Sequence, residues 1–434
     1  MSDKLNLVVN GFGSINQASL EINKINVIGG VNSSGKSTVS KLLYCFLKAS
    51  VLSDEKYIKQ ILINGINNHI DLSESSLSVD DDFSQIIECY YKYADDSEED
   101  EEITDLLNQY SYNKNYFYSF NLSNLINIEN VDHFEGFSKI SNSNFYSLLG
   151  NEDVNAEFDQ GGFVEKYDKN EYDANTDFYV IKTEGDEINI PDVYYIDTFS
   201  ILDLLNIITT VNQRTLFSVG NIYTENHIWY LNKALSKDDF SKKDSDKKFM
   251  NIFNKIDNII KGIMSPPTAS SDYIFVDNSK RSFDEYYGHY IAPGCGTENT
   301  SSGIKQFGIV ELLLLNGELK PNTVLIFDEP EVNLHPEWQF KFAEILVLLA
   351  KELDVTIFMN SHSPMFIEAI EVLTQYYDMD NKTNFYLTEM QENEKYDFKK
   401  IDYDNLFELY DNLAKPFDII EVYRLKNEYK KGNY

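Results

Sequence analysis

Gly30-Val31-Asn32-Ser33-Ser34-Gly35-Lys36-Ser37 sets two glycines, a lysine and a hydroxyl in a G-x-x-x-x-G-K-S spacing suited to holding a chain of phosphates. Gly30 and Gly35 permit backbone angles closed to other residues, so the N–H groups of Asn32, Ser33 and Ser34 can turn toward phosphate oxygens. The helix read over 38–47 adds the partial positive charge of its N-terminus. Lys36 then reaches the β- and γ-phosphates of a nucleoside triphosphate, Ser37 is placed to ligate Mg²⁺, and Thr38 lies within reach of the α-phosphate.

The carboxylates this chemistry needs stand about two thirds of the chain further on, in Val324-Leu325-Ile326-Phe327-Asp328-Glu329-Pro330-Glu331. The apolar run predicts a strand buried on both faces. Asp328 and Glu329 follow at its C-terminal end, where open α/β sheets place their ligands. Neighbouring residues on a strand point to opposite sides, so the two carboxylates can divide the work. Asp328 is the expected Mg²⁺ ligand, and Glu329 the group that orients or deprotonates the attacking water.

Two further groups complete the candidate site. Ser302 and Gly303 open an apolar helix within Thr300-Ser301-Ser302-Gly303-Ile304-Lys305-Gln306, and a Ser-Gly pair at a helix N-terminus is an anion site in the making. His362 lies in Asn360-Ser361-His362-Ser363-Pro364 at the end of the apolar run 355–359. There it can sense a γ-phosphate, or serve as a hydrogen-bonded loop histidine.

The elements that must position these groups are legible around them. Ile25-Asn26-Val27-Ile28 reads as a short buried strand entering the phosphate loop. Val39, Leu42, Leu43, Phe46 and Leu47 give the following segment helical spacing over 38–47. A helix is expected from Pro336 to about Leu353. Phe249, Ile252, Phe253, Ile256, Ile259, Ile260 and Ile263 predict another, stopped by Pro266-Pro267. Strands are expected at 177–181 and 192–196, and a hairpin joins 384–387 to 396–398.

The order of phosphate loop, long insert, Ser-Ser-Gly helix, Asp-Glu strand and Ser-His-Ser strand resembles the ABC-type ATPases. More narrowly, it resembles the SMC- and OLD-related AAA-family ATPases of prokaryotes, closely over about 1–45 and 290–375. The opening Gly11-Phe12-Gly13-Ser14-Ile15 also fits. The resemblance implies an α/β fold: an ABC-type P-loop ATPase core, a mixed sheet flanked by helices, with an inserted helical lobe and a β-rich segment. It implies ATP and Mg²⁺ as ligands, with Lys36, Glu329 and His362 as catalytic residues and Ser37 and Asp328 as metal ligands. In such proteins two copies sandwich two ATP molecules. Ser302 and Gly303 would then contact the γ-phosphate held by the partner, and Asn333-Leu334-His335 would cross the interface.

The resemblance further implies a homodimer or higher homo-oligomer, and a role in genome maintenance or in anti-phage defence with a separate nuclease- or toxin-like effector. A slow nucleotide clamp is the competing binding-module reading. A transporter motor is disfavoured by the long path from Lys36 to Ser302. Three departures from the family pattern stand out. Ser33 replaces a loop glycine, Ile304 and Lys305 replace the usual end of the signature, and Gln60, Gln85, Gln109 and Gln160 offer no context that identifies a lid-loop glutamine.

A length of 434 residues with 42% hydrophobic and 14% aromatic content predicts a folded protein with a large core. No apolar run is long enough to span a membrane, and the first residues lack the basic and apolar segments of a secretory signal. Cys45, Cys89 and Cys295 follow no metal spacing, so reduced cysteines and a cytoplasmic location are expected. The net charge of −34 disfavours non-specific attraction to nucleic acid. Lysines 242, 243, 247 and 248 and the basic residues at 424, 426, 430 and 431 read as solvated faces, and the acidic run 95–102 as an exposed loop. The expected organisation is two core halves, 1–50 and 290–382, an inserted α/β and helical lobe, 51–289, and a C-terminal hairpin and helix, 383–434.

Overall fold

The structure, a computed structural model, describes residues 5–52, 155–160, 164–173, 178–184, 190–197, 202–203, 227–237, 247–267, 273–280, 282–284, 289–291 and 295–432. Strands β1 (Leu5–Asn10), β2 (Ile15–Ile22) and β3 (Ile25–Gly29) open the chain, and helix α1 (Lys36–Leu52) follows the phosphate loop. Next come β4 (Asn155–Gln160), β5 (Val164–Asp173), β6 (Phe178–Glu184) and β7 (Val193–Ile196), then helices α2 (His227–Leu235) and α3 (Lys247–Ile260). Short strands β8 (Gly262–Ser265), β9 (Ile274–Asp277), β10 (Ser282–Asp284), β11 (His289–Ile291) and β12 (Cys295–Gly296) lead to helix α4 (Ser302–Leu315). The rest runs β13 (Val324–Asp328), α5 (Pro336–Leu353), β14 (Thr356–Ser361), α6 (Pro364–Tyr376), β15 (Thr383–Met390), β16 (Tyr396–Ile401) and α7 (Phe407–Gly432).

Among the described residues, eleven strands form one mixed sheet in the order β6-β5-β4-β1-β2-β16-β15-β3-β14-β13-β7. The five from β15 to β7 run parallel. Asp328 pairs in register with Asn360, and Ser361 with Gly29, so the ends that carry the candidate site residues lie side by side. The other six strands join through antiparallel pairs, apart from the parallel contact of β16 with β2. Residues 155–196, within the expected insert, therefore contribute strands to both ends of the sheet. The hairpin expected at 384–398 forms, and its first strand sits directly beside β3.

Side chains alternate between two cores, as period-two strands require. Ile28, Ile326, Phe358 and Tyr195 pack with Val39, Leu42, Leu43 and Leu47 of α1 on one face. Val27, Phe327, Ile357 and Met359 pack on the other, with α3, α4, α5 and α6. Helix α4 is buried nearly all round, which explains its unbroken apolar run.

One element differs from its sequence reading. Helical spacing over 249–263 suggested a single helix, but α3 ends at Ile260, Lys261 takes a left-handed φ of 56°, and Ile263 lies in β8 opposite Val276. The chain breaks at Lys261-Gly262, before the two prolines are reached. The acidic run 95–102, Cys89, Lys242, Lys243, Gln60, Gln85 and Gln109 lie outside the described residues. Among the described residues no helix is long and apolar enough to cross a membrane.

Candidate nucleotide site

The phosphate loop joins the end of β3 to the start of α1, the strand–turn–helix setting that its chemistry requires. Gly35 has a φ of 92°, and an added Cβ would lie 2.7 Å from Ile15 Cγ1. Ser33, standing where the resemblance expects glycine, also has a positive φ, 64°. The loop therefore keeps a left-handed turn without the glycine, at the cost of some backbone strain. Asn32 and Ser33 are exposed, Ser34 is buried, and Ser37 and Thr38 are half-buried. The Thr388 hydroxyl donates to Ser34 Oγ at 3.0 Å, so β15 braces the loop.

Lys36 is buried, and its ammonium donates to the carbonyls of Gly30 at 2.9 Å and Val31 at 2.8 Å. Burial lowers its pKa, against the raising influence of Glu329, Asp328 and Glu331. Phosphate oxygens offer this cation acceptors that carry charge, where the loop carbonyls are neutral.

Asp328 ends β13 with both carboxylate oxygens engaged. Oδ1 accepts from Asn360 Nδ2 at 2.9 Å, and Oδ2 accepts from the Tyr195 hydroxyl at 3.1 Å. Asn360 Nδ2 also reaches Ser40 Oγ of α1 at 2.7 Å, so three elements fix one carboxylate. Glu329 follows with a left-handed φ of 53°, which turns it away from the strand path. Its Oε1 lies 3.2 Å from His362 Nδ1, and both side chains are partly open to solvent.

A cavity of about 470 Å³ is lined by Ser37, Asp197, Gln306, Asp328, Glu329 and Asn333, among others. A hydroxyl and a carboxylate facing one cavity beside a phosphate loop are a suitable donor set for Mg²⁺, which takes few protein ligands and completes its shell with phosphate and water. Among the described residues no cluster of three or more His, Cys, Asp and Glu is arranged to hold a metal alone.

Ser302 and Gly303 do not line this cavity. Ser301 caps α4, and Ser302 Oγ donates to the carbonyl of Asn333 at 3.5 Å. Gly303 packs against Trp338 so closely that an added Cβ would lie 2.9 Å from the indole. His335 caps α5, its Nδ1 accepting from the Glu337 amide at 3.3 Å. Lys305, a departure from the family signature, is buried against Asp203 at 2.5 Å.

The structure also exposes residues that spacing alone does not reveal. Asp197 follows the end of β7 and lines the cavity, its Oδ2 3.1 Å from His227 Nε2. Burial raises its pKa, but the His227 contact and neighbouring charges outweigh burial and the net shift is downward. Tyr195 and Asn360 hold Asp328, and Glu331 is buried behind His362. Gln160, the described glutamine among the lid candidates, ends β4 on the antiparallel side of the sheet.

The sequence profile of the AAA ATPase domain family matches residues 5–367, a span from β1 through the His362 turn to the start of α6. The chain belongs to that family. With the mixed sheet, flanking helices and site geometry described above, it carries the ABC-type P-loop ATPase fold expected from its motif order. Solved structures similar to it include a Smc head bound to the C-winged helix domain of ScpA, at 12% identity and a TM-score of 0.42, covering 93% of this chain and 99% of that one. The SMC head domain from Thermotoga maritima is 9% identical with a TM-score of 0.39, covering 92% and 99%. A Smc head with an extended coiled coil bound to the C-terminal domain of ScpA, derived from Pyrococcus furiosus, is 11% identical with a TM-score of 0.41, covering 98% and 100%. No curated protein matches the chain.

Proposed function

We propose that this AAA-family ATPase hydrolyses Mg²⁺·ATP as a nucleotide-sandwiched homodimer and uses the cycle as a conformational switch. The observation that carries this reading is the Glu329–His362 pair, 3.2 Å apart beside a cavity lined by Ser37 and Asp328. Lys36 and the loop amides hold the phosphates, and Ser37 and Asp328 hold Mg²⁺. Positive charge held there would offset the charge that develops on the phosphates. Glu329 takes the proton of the attacking water, and His362 orients Glu329 and the terminal phosphate.

Exposed apolar side chains beside the site support the dimer. Val31 of the phosphate loop, Val332 after the carboxylate turn and Met365 after His362 are 43%, 37% and 37% exposed. A second copy seated over the nucleotide would cover them and bring its Ser302 and Gly303 to the γ-phosphate. The resemblance in motif order extends the reading to the sensor subunit of an anti-phage defence system acting on a separate effector, with repair or recombination as the alternative.

The test is light scattering on Glu329→Gln with and without ATP. This variant slows exit from the closed state, so its mass should double with Mg²⁺·ATP and stay single without it. A protein that remains monomeric at saturating ATP sinks the sandwich, and binding without turnover in the unmodified chain favours a clamp.

A further inference from the structure

Glu331 is a carboxylate that the reaction outlined above does not use. It lies two residues beyond Glu329, past Pro330, and is only 3% exposed. Its Oε1 accepts from the Ser361 hydroxyl at 2.6 Å and from the His362 amide at 3.0 Å. The same oxygen lies 3.6 Å from His362 Nδ1, beyond hydrogen-bond length but within reach of electrostatic contact when the imidazole is protonated. Its Oε2 is buried without a hydrogen-bond partner among the described residues.

That arrangement is a poor one for a packing residue. An ionised carboxylate with one oxygen unsatisfied is costly to bury. Burial accordingly raises the pKa of Glu331, partly offset by its contacts with Ser361 and His362. A neutral side chain of the same shape would fill the space with less penalty. What Glu331 supplies is a fixed anchor: one oxygen accepts from the His362 amide and lies 3.6 Å from the imidazole nitrogen.

His362 Nδ1 thus lies near two carboxylates, the partly exposed Glu329 at 3.2 Å and the buried Glu331 at 3.6 Å. Glu329 is partly exposed on a strained backbone, so it depends on its neighbours for a defined position. The buried Glu331 is already held by the Ser361 hydroxyl and the His362 amide.

We infer that Glu331 is a positioning residue, which fixes the His362 backbone and ring so that His362 can orient Glu329 for water activation. It touches neither substrate nor metal and acts through the histidine. The inference rests on the hydrolytic reading of the site, and its test includes a measurement that does not require hydrolysis.

Glu331→Gln keeps the shape and an acceptor for Ser361 and the His362 amide while removing the charge. Turnover should fall roughly ten- to a hundredfold, as expected when a reacting group loses its alignment. ATP affinity should be unchanged, and the melting temperature equal to or above that of the unmodified protein. In a His362→Ala background the same substitution should add little further loss, because both changes remove one linkage. In the free protein, the imidazole ¹⁵N resonances of His362, assigned by their disappearance in His362→Ala, should move in Glu331→Gln.

Normal turnover in Glu331→Gln would overturn the inference, as would a melting temperature and ATP affinity that fall together, or full additivity with His362→Ala. If the unmodified protein does not hydrolyse ATP, the proposed function fails by itself. Unmoved His362 resonances would then still refute the positioning role, and a shift would support it.

Discussion

Tyr195→Phe removes one atom from a buried aromatic side chain and should weaken the proposed metal site without disturbing the fold around it. The Tyr195 ring is fully buried, edge-on to His227 at 5.2 Å and tilted against Tyr44 at 6.0 Å. A phenylalanine keeps both contacts. The Tyr195 hydroxyl, however, is the donor to Asp328 Oδ2 at 3.1 Å, while Asn360 holds Oδ1. Hydrogen bonds to charged acceptors contribute about 1.5–3 kcal/mol. Asp328 borders an open cavity, so solvent replaces part of the loss and the lower end of that range applies. With one oxygen released the carboxylate can rotate, and losses of this kind cost about tenfold or more in metal affinity.

The assay is the Mg²⁺ concentration that gives half-maximal tightening of a fluorescent ATP analogue. It should rise about tenfold in Tyr195→Phe, while affinity measured in excess EDTA stays the same. An unchanged Mg²⁺ midpoint would refute the argument that Tyr195 holds a metal-ligating carboxylate. An equal loss with and without Mg²⁺ would show a general disturbance of the pocket.

Lys36→Ala should abolish ATP binding in equilibrium titrations, whereas Glu329→Gln should bind ATP and turn over roughly 10²–10³-fold more slowly; normal turnover would remove Glu329 from the mechanism. Glu331, with its pKa raised by burial, binds its proton more tightly folded than unfolded. Its contribution to stability is therefore full below the ordinary glutamate range near ~4.3 and is lost as pH rises through its folded value. Denaturant midpoints of the unmodified protein should decline more steeply above that range than those of Glu331→Gln, and parallel pH curves would contradict this. With a net charge of −34, the ATPase alone should bind duplex DNA weakly at physiological salt. Sub-micromolar mobility shifts would shift weight to genome maintenance.

The parts of the site that one contiguous segment specifies were legible in the sequence. Gly30–Thr38 and Val324–Glu329 carry their chemistry and their secondary structure in the same few residues, because a tight turn and a buried strand impose local patterns. Ser33 shows the limit of that rule: the left-handed turn is kept where the glycine is not. Tyr195, Asp197 and Asn360 were not legible. Tyr195 and Asp197 belong to a strand end brought beside Asp328 by a parallel pairing across more than a hundred residues of sequence, and no local spacing encodes that neighbour. Glu331 was in plain view within Asp-Glu-Pro-Glu, but its part depends on Ser361 and His362 from the adjacent strand. Lys305, a departure by motif, found its reason in Asp203. Ile263 was misassigned because a short strand following a helix can continue the apolar rhythm by chance.

The central claim is that each ATP is held between the phosphate loop of one subunit and Ser302 of the other, and subunit mixing tests it most directly. Lys36→Ala and Ser302→Arg should each be inactive alone. An equal mixture lets mixed dimers form, each with one site carrying both defects and one carrying neither. Independent sites would then restore roughly a quarter of the unmodified turnover. No recovery in mixtures shown to exchange subunits, or normal turnover by Ser302→Arg alone, would contradict the account.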